Sequence, residues 1–250
     1  MQIATRIAHT TPEGVTVRGQ DLVEDLIGVH TFTEMLYFLT IERFPTPAEA
    51  QVLDACLVTL MEHGWTPSSL IARFMIDSVP DEVQVAMSSG LLAVGSVFAG
   101  TSEECAKLLK AAVGAEEGPE AYFRTLVPDL RARRAPIPGF GHPVHKPDDP
   151  RAARLIAVAR RAGMGGAYVD ALLALSAEVD RVYGKHITIN ATGAIGALLL
   201  EIGFEPQIMR GVAVVSRAGG LLGHIVEERK TGASRRIWQM AEDAIPYAGD

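Results

Sequence analysis

Apolar residues recur at helical spacing along almost the whole chain, and strand-like alternation is confined to one short stretch. Within residues 49–63, Val52, Leu53, Cys56, Leu57, Leu60 and Met61 fall at i, i+1, i+4, i+5, i+8 and i+9, one face of a helix with His63 at its end. Pro45 and Pro47 mark where it begins. The same period predicts helices over residues 151–162, 169–183, 194–202 and 206–229. Another starts at Thr101 or Ser102, with Glu103 and Glu104 in its first turn, and runs through Ala112. Residues 88–100 are small and nearly uncharged, as expected where helices pack closely in a core or at a subunit interface. Only residues 11–19, bounded by Pro12 and Gly19, suit an edge strand or a small hairpin. The expected fold is therefore mostly α.

Composition narrows the functional classes. The 250 residues allow one large domain with a smaller lobe. A net charge of −7 disfavours nucleic-acid binding, which needs a basic face, so an anionic ligand must meet a local cluster of positive groups. No window reaches the roughly 18 uninterrupted apolar residues of a membrane span, and the first residues lack the apolar run of a secretory signal. Cys56 and Cys105 have no CxxC spacing and read as buried free thiols, which points to a reducing, cytoplasmic setting.

Residues 131–151 break the helical pattern with five prolines and two glycines in 21 positions. The loop is nevertheless dense in His, Lys and Arg. Gly139 and Gly141 flank Phe140 and let backbone N–H groups approach a ligand. His142, Lys146 and Arg151 then offer an imidazole for proton transfer, an ammonium for a phosphate and a guanidinium fork for a carboxylate. His142 and His145 form an HxxH, but the prolines exclude the helical spacing of metal pairs and no further ligand is evident, so no metal is expected.

The string Gly139-Phe140-Gly141-His142-Pro143-Val144-His145-Lys146-Pro147-Asp148-Asp149-Pro150-Arg151 closely resembles the signature loop of the citrate synthase superfamily. The resemblance continues through Val17-Arg18-Gly19, Glu62-His63-Gly64, Val97-Phe98-Ala99-Gly100, Asn190-Ala191-Thr192-Gly193, Ser216-Arg217, His224, Glu227 and Arg235. The chain is much shorter than the usual synthases and is more similar to the citryl-CoA lyase branch, including the lyase module that ends ATP-citrate lyase.

That resemblance implies a two-lobed helical fold, with residues 1–102 and 201–250 in a large domain and 103–200 in a small one, assembled as a homodimer or tetramer. It implies a coenzyme A thioester and a di- or tricarboxylate as ligands, with a separate CoA ligase as a conceivable partner. His142 matches the imidazole that hydrogen-bonds the oxaloacetate carbonyl, and His63, Arg151 and Arg217 match ligands of the same dicarboxylate. Arg235 resembles an arginine supplied by the neighbouring subunit. Lys146 and Lys185 match groups that hold CoA phosphates, and Ile137, Pro138, Gly139, Phe140 and Gly141 match the strip that reads its adenine. His145 is expected in the wall of the site and His224 in a structural role.

Two positions depart from the pattern. Phe98 stands where the synthases carry a histidine that donates to the thioester carbonyl, and a phenyl ring cannot donate. Thr192 stands where they carry the catalytic aspartate, and a hydroxyl without a neighbouring base does not deprotonate a methyl carbon near neutral pH. Glu103, His145, Asp148 and His186 are candidate substitutes. The resemblance thus implies a citryl-CoA lyase-like enzyme, with His142 available to take the hydroxyl proton and Thr192 to hold a carbonyl or orient a water. A citrate or 2-methylcitrate synthase and a non-catalytic CoA or dicarboxylate binder are the alternatives.

Overall fold

The computed structural model describes residues 4–95 and 100–249. Three short antiparallel strands, β1 (Ala8–Thr11), β2 (Gly14–Val17) and β3 (Gln20–Asp21), open the chain in the order β1-β2-β3, with Ala8 opposite Val17 and Thr16 opposite Asp21. The anticipated hairpin thus gains a third strand, because the Arg18-Gly19 turn, with both residues at positive φ, folds Gln20 back onto Val17. Eleven α-helices follow among the described residues: α1 (Phe32–Ile41), α2 (Pro47–Met61), α3 (Pro67–Ser78), α4 (Val83–Leu92), α5 (Gly100–Val113), α6 (Pro119–Ala132), α7 (Pro150–Arg161), α8 (Ala167–Tyr183), α9 (Ala191–Glu201), α10 (Met209–Thr231) and α11 (Ala233–Ala244). None is long and apolar enough to cross a membrane.

Local chemistry sets the helix boundaries that position the site. Thr46 caps α2 in a reciprocal box with Glu49, and Pro47 fills the first turn, where its missing N–H costs nothing. The helix ends at Met61, so His63 lies in the loop beyond it. Asp149 caps α7 ahead of Pro150, and Asn190 caps α9 by accepting from the Gly193 N–H. That cap starts α9 at Ala191 rather than 194, a first turn that apolar periodicity does not register because Thr192 and Gly193 carry no bulky apolar group.

Helix α9 is the centre of the core. Every residue from Gly193 to Leu200 is buried, with α5, α7 and α8 packed around it and α2 reaching both α7 and α10. A second, smaller cluster joins Ala72 and Ile76 of α3 and Ala86 of α4 to Leu221 and Ile225 of α10. Both cysteines are buried and unpaired.

The signature loop is stitched to the start of α9. Asn190 N–H donates to the Gly139 carbonyl at 2.9 Å and Gly141 N–H to that of Thr188 at 2.8 Å, while Phe140 bridges Ile189. A Cβ on Gly193 would stand 2.5 Å from the Gly139 oxygen, and one on Gly139 would stand 2.7 Å from Cys105 Sγ. Gly193→Ala should therefore lose about 1–3 kcal/mol through overpacking of backbone that cannot yield. Urea unfolding of this variant checks it, and an unchanged midpoint would contradict so close an approach.

Candidate active site

A cavity of about 500 Å³ opens where α2, α5, α7, α9 and α10 meet the signature loop. Six of the residues singled out by sequence line it together: His63, Gly141, His142, Arg151, Thr192 and Arg217. Their chain separations reach 154 positions, from His63 to Arg217. Trp65, Thr101 and Asn190, which residue patterns did not single out as ligands, also line it.

Asp149 organises the floor. Its carboxylate is buried and accepts from Arg151 Nε at 3.0 Å, Arg151 Nη2 at 2.8 Å and the backbone N–H groups of Arg151 and Ala191, both at 3.0 Å. Burial pushes the Asp149 carboxyl up, but the Arg151 guanidinium and those N–H donors outweigh it and hold it down at about 2. Folding therefore draws stability from the ionised form, fully present above the unfolded-state pKa near 4 and lost as pH falls toward 2. Wild type should show a falling urea midpoint across that window, and Asp149→Asn should flatten the slope while lowering stability at neutral pH.

Arg151 also lies 3.5 Å, through Nη1, from His63 Nδ1. Desolvation lowers the His63 pKa, and the cationic Arg151 and Arg217 lower it further. His142, whose ring centre is 6.0 Å from that of His63, is also held down, by burial first and then by His145 and Arg151. Its Nδ1 accepts the backbone N–H groups of Val144 at 3.1 Å and His145 at 3.0 Å. A neutral imidazole accepting at Nδ1 carries its hydrogen on Nε2, so His142 is a donor here.

Arg217 has no such engagement. Its Nη1 is buried without a hydrogen-bond partner, and desolvation lowers its pKa, with Glu62 countering part of that effect. An unpartnered buried guanidinium nitrogen is costly unless an anion meets it.

Thr192 is tied into the protein. Its hydroxyl donates to Asn190 Oδ1 at 2.7 Å and lies 2.9 Å from Thr101 Oγ1. Of the candidate substitute bases, Glu103 is paired with Lys107 and Arg210, Asp148 with His186, and His145 stacks on His142; none of the four lines the cavity. Among the described residues no cluster suited to a metal ion occurs.

The remaining sequence candidates lie elsewhere. Ile137 and Gly139 are buried under the loop, Pro138 and Phe140 are half-buried beside them, and Lys146 and Lys185 are exposed outside the cavity. Arg235 sits on α11, 75% exposed, with its Nε 3.0 Å from Asp77. It does not line the cavity of its own chain. Phe98 lies outside the described residues.

His224, expected to be structural, belongs to a network with a buried centre, Arg73 and Glu228, and exposed ends at Glu227 and Glu62. Arg73 is almost fully buried, stacks 4.4 Å from the Trp65 ring centre, and bonds His224 Nδ1 at 2.9 Å, Glu228 at 3.0 Å and Glu227. His224 then reaches Glu62 at 3.0 Å, and Glu62 accepts the Gly64 N–H at 2.6 Å. The loop that carries His63 is thus braced from behind.

Comparison with known proteins places this geometry. Residues 25–240 match the family described as citrate synthase, C-terminal domain. The chain is similar to the citrate synthase of Synechocystis, 28% identical over 93% of this chain and 56% of that protein, so it spans little more than half of that relative's length. Its fold is similar to the structure of citryl-CoA lyase from Hydrogenobacter thermophilus, with a TM-score of 0.88, 29% identity, and coverage of 99% of this chain and 95% of that one. It is also similar in fold to ATP citrate lyase from Methanothrix soehngenii in complex with citrate and coenzyme A, with a TM-score of 0.83, 20% identity, and coverage of 100% of this chain and 42% of that one. The chain belongs to the citrate synthase family.

Proposed function

We propose that the protein is a CoA-dependent carbon–carbon lyase, cleaving citryl-CoA or a related 3-hydroxyacyl-CoA to acetyl-CoA and oxaloacetate or another 2-oxo acid. The observation that carries this reading is Arg217, whose Nη1 is buried without a partner and whose side chain lines the same cavity as Arg151 and two imidazoles held toward neutrality. Such a site suits a small polycarboxylate, whose charges replace lost hydration. The likeness to a lyase of nearly the same length supports the lyase direction.

In this reading Arg217 and Arg151 hold the carboxylates, and His142 donates from Nε2 to the oxygen that becomes the ketone. His63 would accept the hydroxyl proton at Nδ1 in exchange for its 3.5 Å contact with Arg151 Nη1. The carbon–carbon bond then breaks, its electron pair passes to the thioester as an enolate, and solvent protonates the enolate carbon. Thr192 serves by fixing its neighbours. Lys146, Lys185 and the 137–141 strip would hold coenzyme A. Residues 1–102 with 201–250, and 103–200, would act as lobes that close on the substrate in the cytoplasm. A homodimer or tetramer would bring the exposed Arg235 to a second copy's site, and a separate CoA ligase would supply the ester.

The name of the Synechocystis relative favours a second reading, condensation of an acyl-CoA with a 2-oxo acid. A panel of 3-hydroxy-3-carboxyacyl-CoA esters, monitored for 2-oxo acid release, and the reverse mixtures, monitored for thiol release, separate the two. Cleavage without thiol release supports the lyase. Thiol release from acetyl-CoA and oxaloacetate supports the synthase. Tight CoA binding with no turnover across the panel leaves a binding protein.

A further inference from the structure

We propose that Thr101, rather than Thr192, supplies the hydroxyl that hydrogen-bonds the thioester oxygen as negative charge develops on it; this rests on the thioester reading above.

The direction of the hydrogen bonds carries the argument. Asn190 Nδ2 donates to the Gly141 carbonyl at 2.9 Å, which turns Oδ1 toward the Gly193 N–H at 3.1 Å and the Thr192 hydroxyl at 2.7 Å. A carbonyl oxygen only accepts, so the single Thr192 proton is committed to Asn190. The 2.9 Å contact between the two threonine hydroxyls must then run from Thr101 to Thr192. Thr192 therefore offers the cavity lone pairs alone. Thr101 holds its proton in one bond to a neutral hydroxyl and redirects it into the cavity by rotating about Cβ–Oγ1.

Position adds to this. Thr101 is the second residue of α5, fourteen residues long, and Thr192 is the second of α9, so two helix starts meet where both threonines line the cavity. The partial positive charge of each favours an oxyanion there.

Calorimetric titration of purified protein with carboxymethyl-CoA, whose carboxylate stands in for the enolate, and with CoA alone tests the assignment without requiring turnover. Thr101→Val should bind carboxymethyl-CoA roughly tenfold more weakly with CoA affinity unchanged, Thr101→Ser should restore it, and Thr101→Ala should match valine if the branched side chain disturbs folding. Thr192→Val removes the acceptor that competes for the Thr101 proton but loosens Asn190, so it should weaken carboxymethyl-CoA binding less than Thr101→Val does. Wild-type binding by Thr101→Val, or an equal loss in Thr192→Val, overturns the proposal. If wild type binds neither compound, the thioester reading fails and this assignment with it.

Discussion

His142→Ala should cut cleavage of the hydroxyacyl-CoA by roughly 10²–10³-fold while leaving the protein folded. Two backbone N–H groups, from Val144 and His145, hold Nδ1 and aim the Nε2 hydrogen, so alanine removes the donor together with its alignment. Those N–H groups lie in an exposed to half-exposed loop, where water replaces the lost acceptor, and the melting temperature should move by only a few degrees. Steady-state turnover with thermal melts of the same preparation decides it. A variant cleaving at the wild-type rate would remove His142 from the chemistry, and one that unfolds would assign it to the scaffold.

Arg73→Met should destabilise the fold by about 3–5 kcal/mol, the cost of stranding a buried charge. The Arg73 side chain is 2% exposed, as is that of its partner Glu228, whose second oxygen accepts the Ser234 N–H at 2.8 Å and so joins α10 to α11. Without Arg73, Glu228 keeps its burial and loses its cation, Trp65 loses the guanidinium stacked on it, and His224 loses the donor that sets its tautomer. Adding Glu228→Gln should recover part of the stability, because the uncompensated charge then disappears. Chemical unfolding of the single and double variants measures both effects. A loss under about 1 kcal/mol for Arg73→Met would mean that water already reaches this network.

The same network is invisible to residue periodicity. The helix period located α2, α5, α7, α8, α9 and α10, which pack on one another through apolar stripes, but gave no bounds for α1, α3, α4, α6 or α11. The signature loop was legible from its prolines and glycines, and Asp149-Pro150-Arg151 carries a visible cap followed by a proline at the first helical position. Arg73, by contrast, occupies an apolar face of α3 as one more charge in a helix. Only its partners on α10, about 150 positions away, turn it into a buried brace. Residue pattern marks Thr101 only as a helix-start residue and Trp65 not at all, and it is the fold that puts both in the cavity wall.

Thr192 makes the contrast sharpest. Its identity at a position where the resemblance expects an aspartate was plain from the residues, and so was the chemical deficit. The direction of its proton was not, because that depends on which atoms of Asn190 face Gly141 and Gly193. Residue type and spacing determined a mostly helical chain with a cation-rich, proline-braced loop. Tertiary structure alone decided that His63, His142, Arg151 and Arg217 share one cavity, and which of its polar groups give a hydrogen and which receive one. The physical reason is that side-chain periodicity encodes which face of an element is buried, whereas hydrogen-bond direction is set by partners brought together across the whole chain.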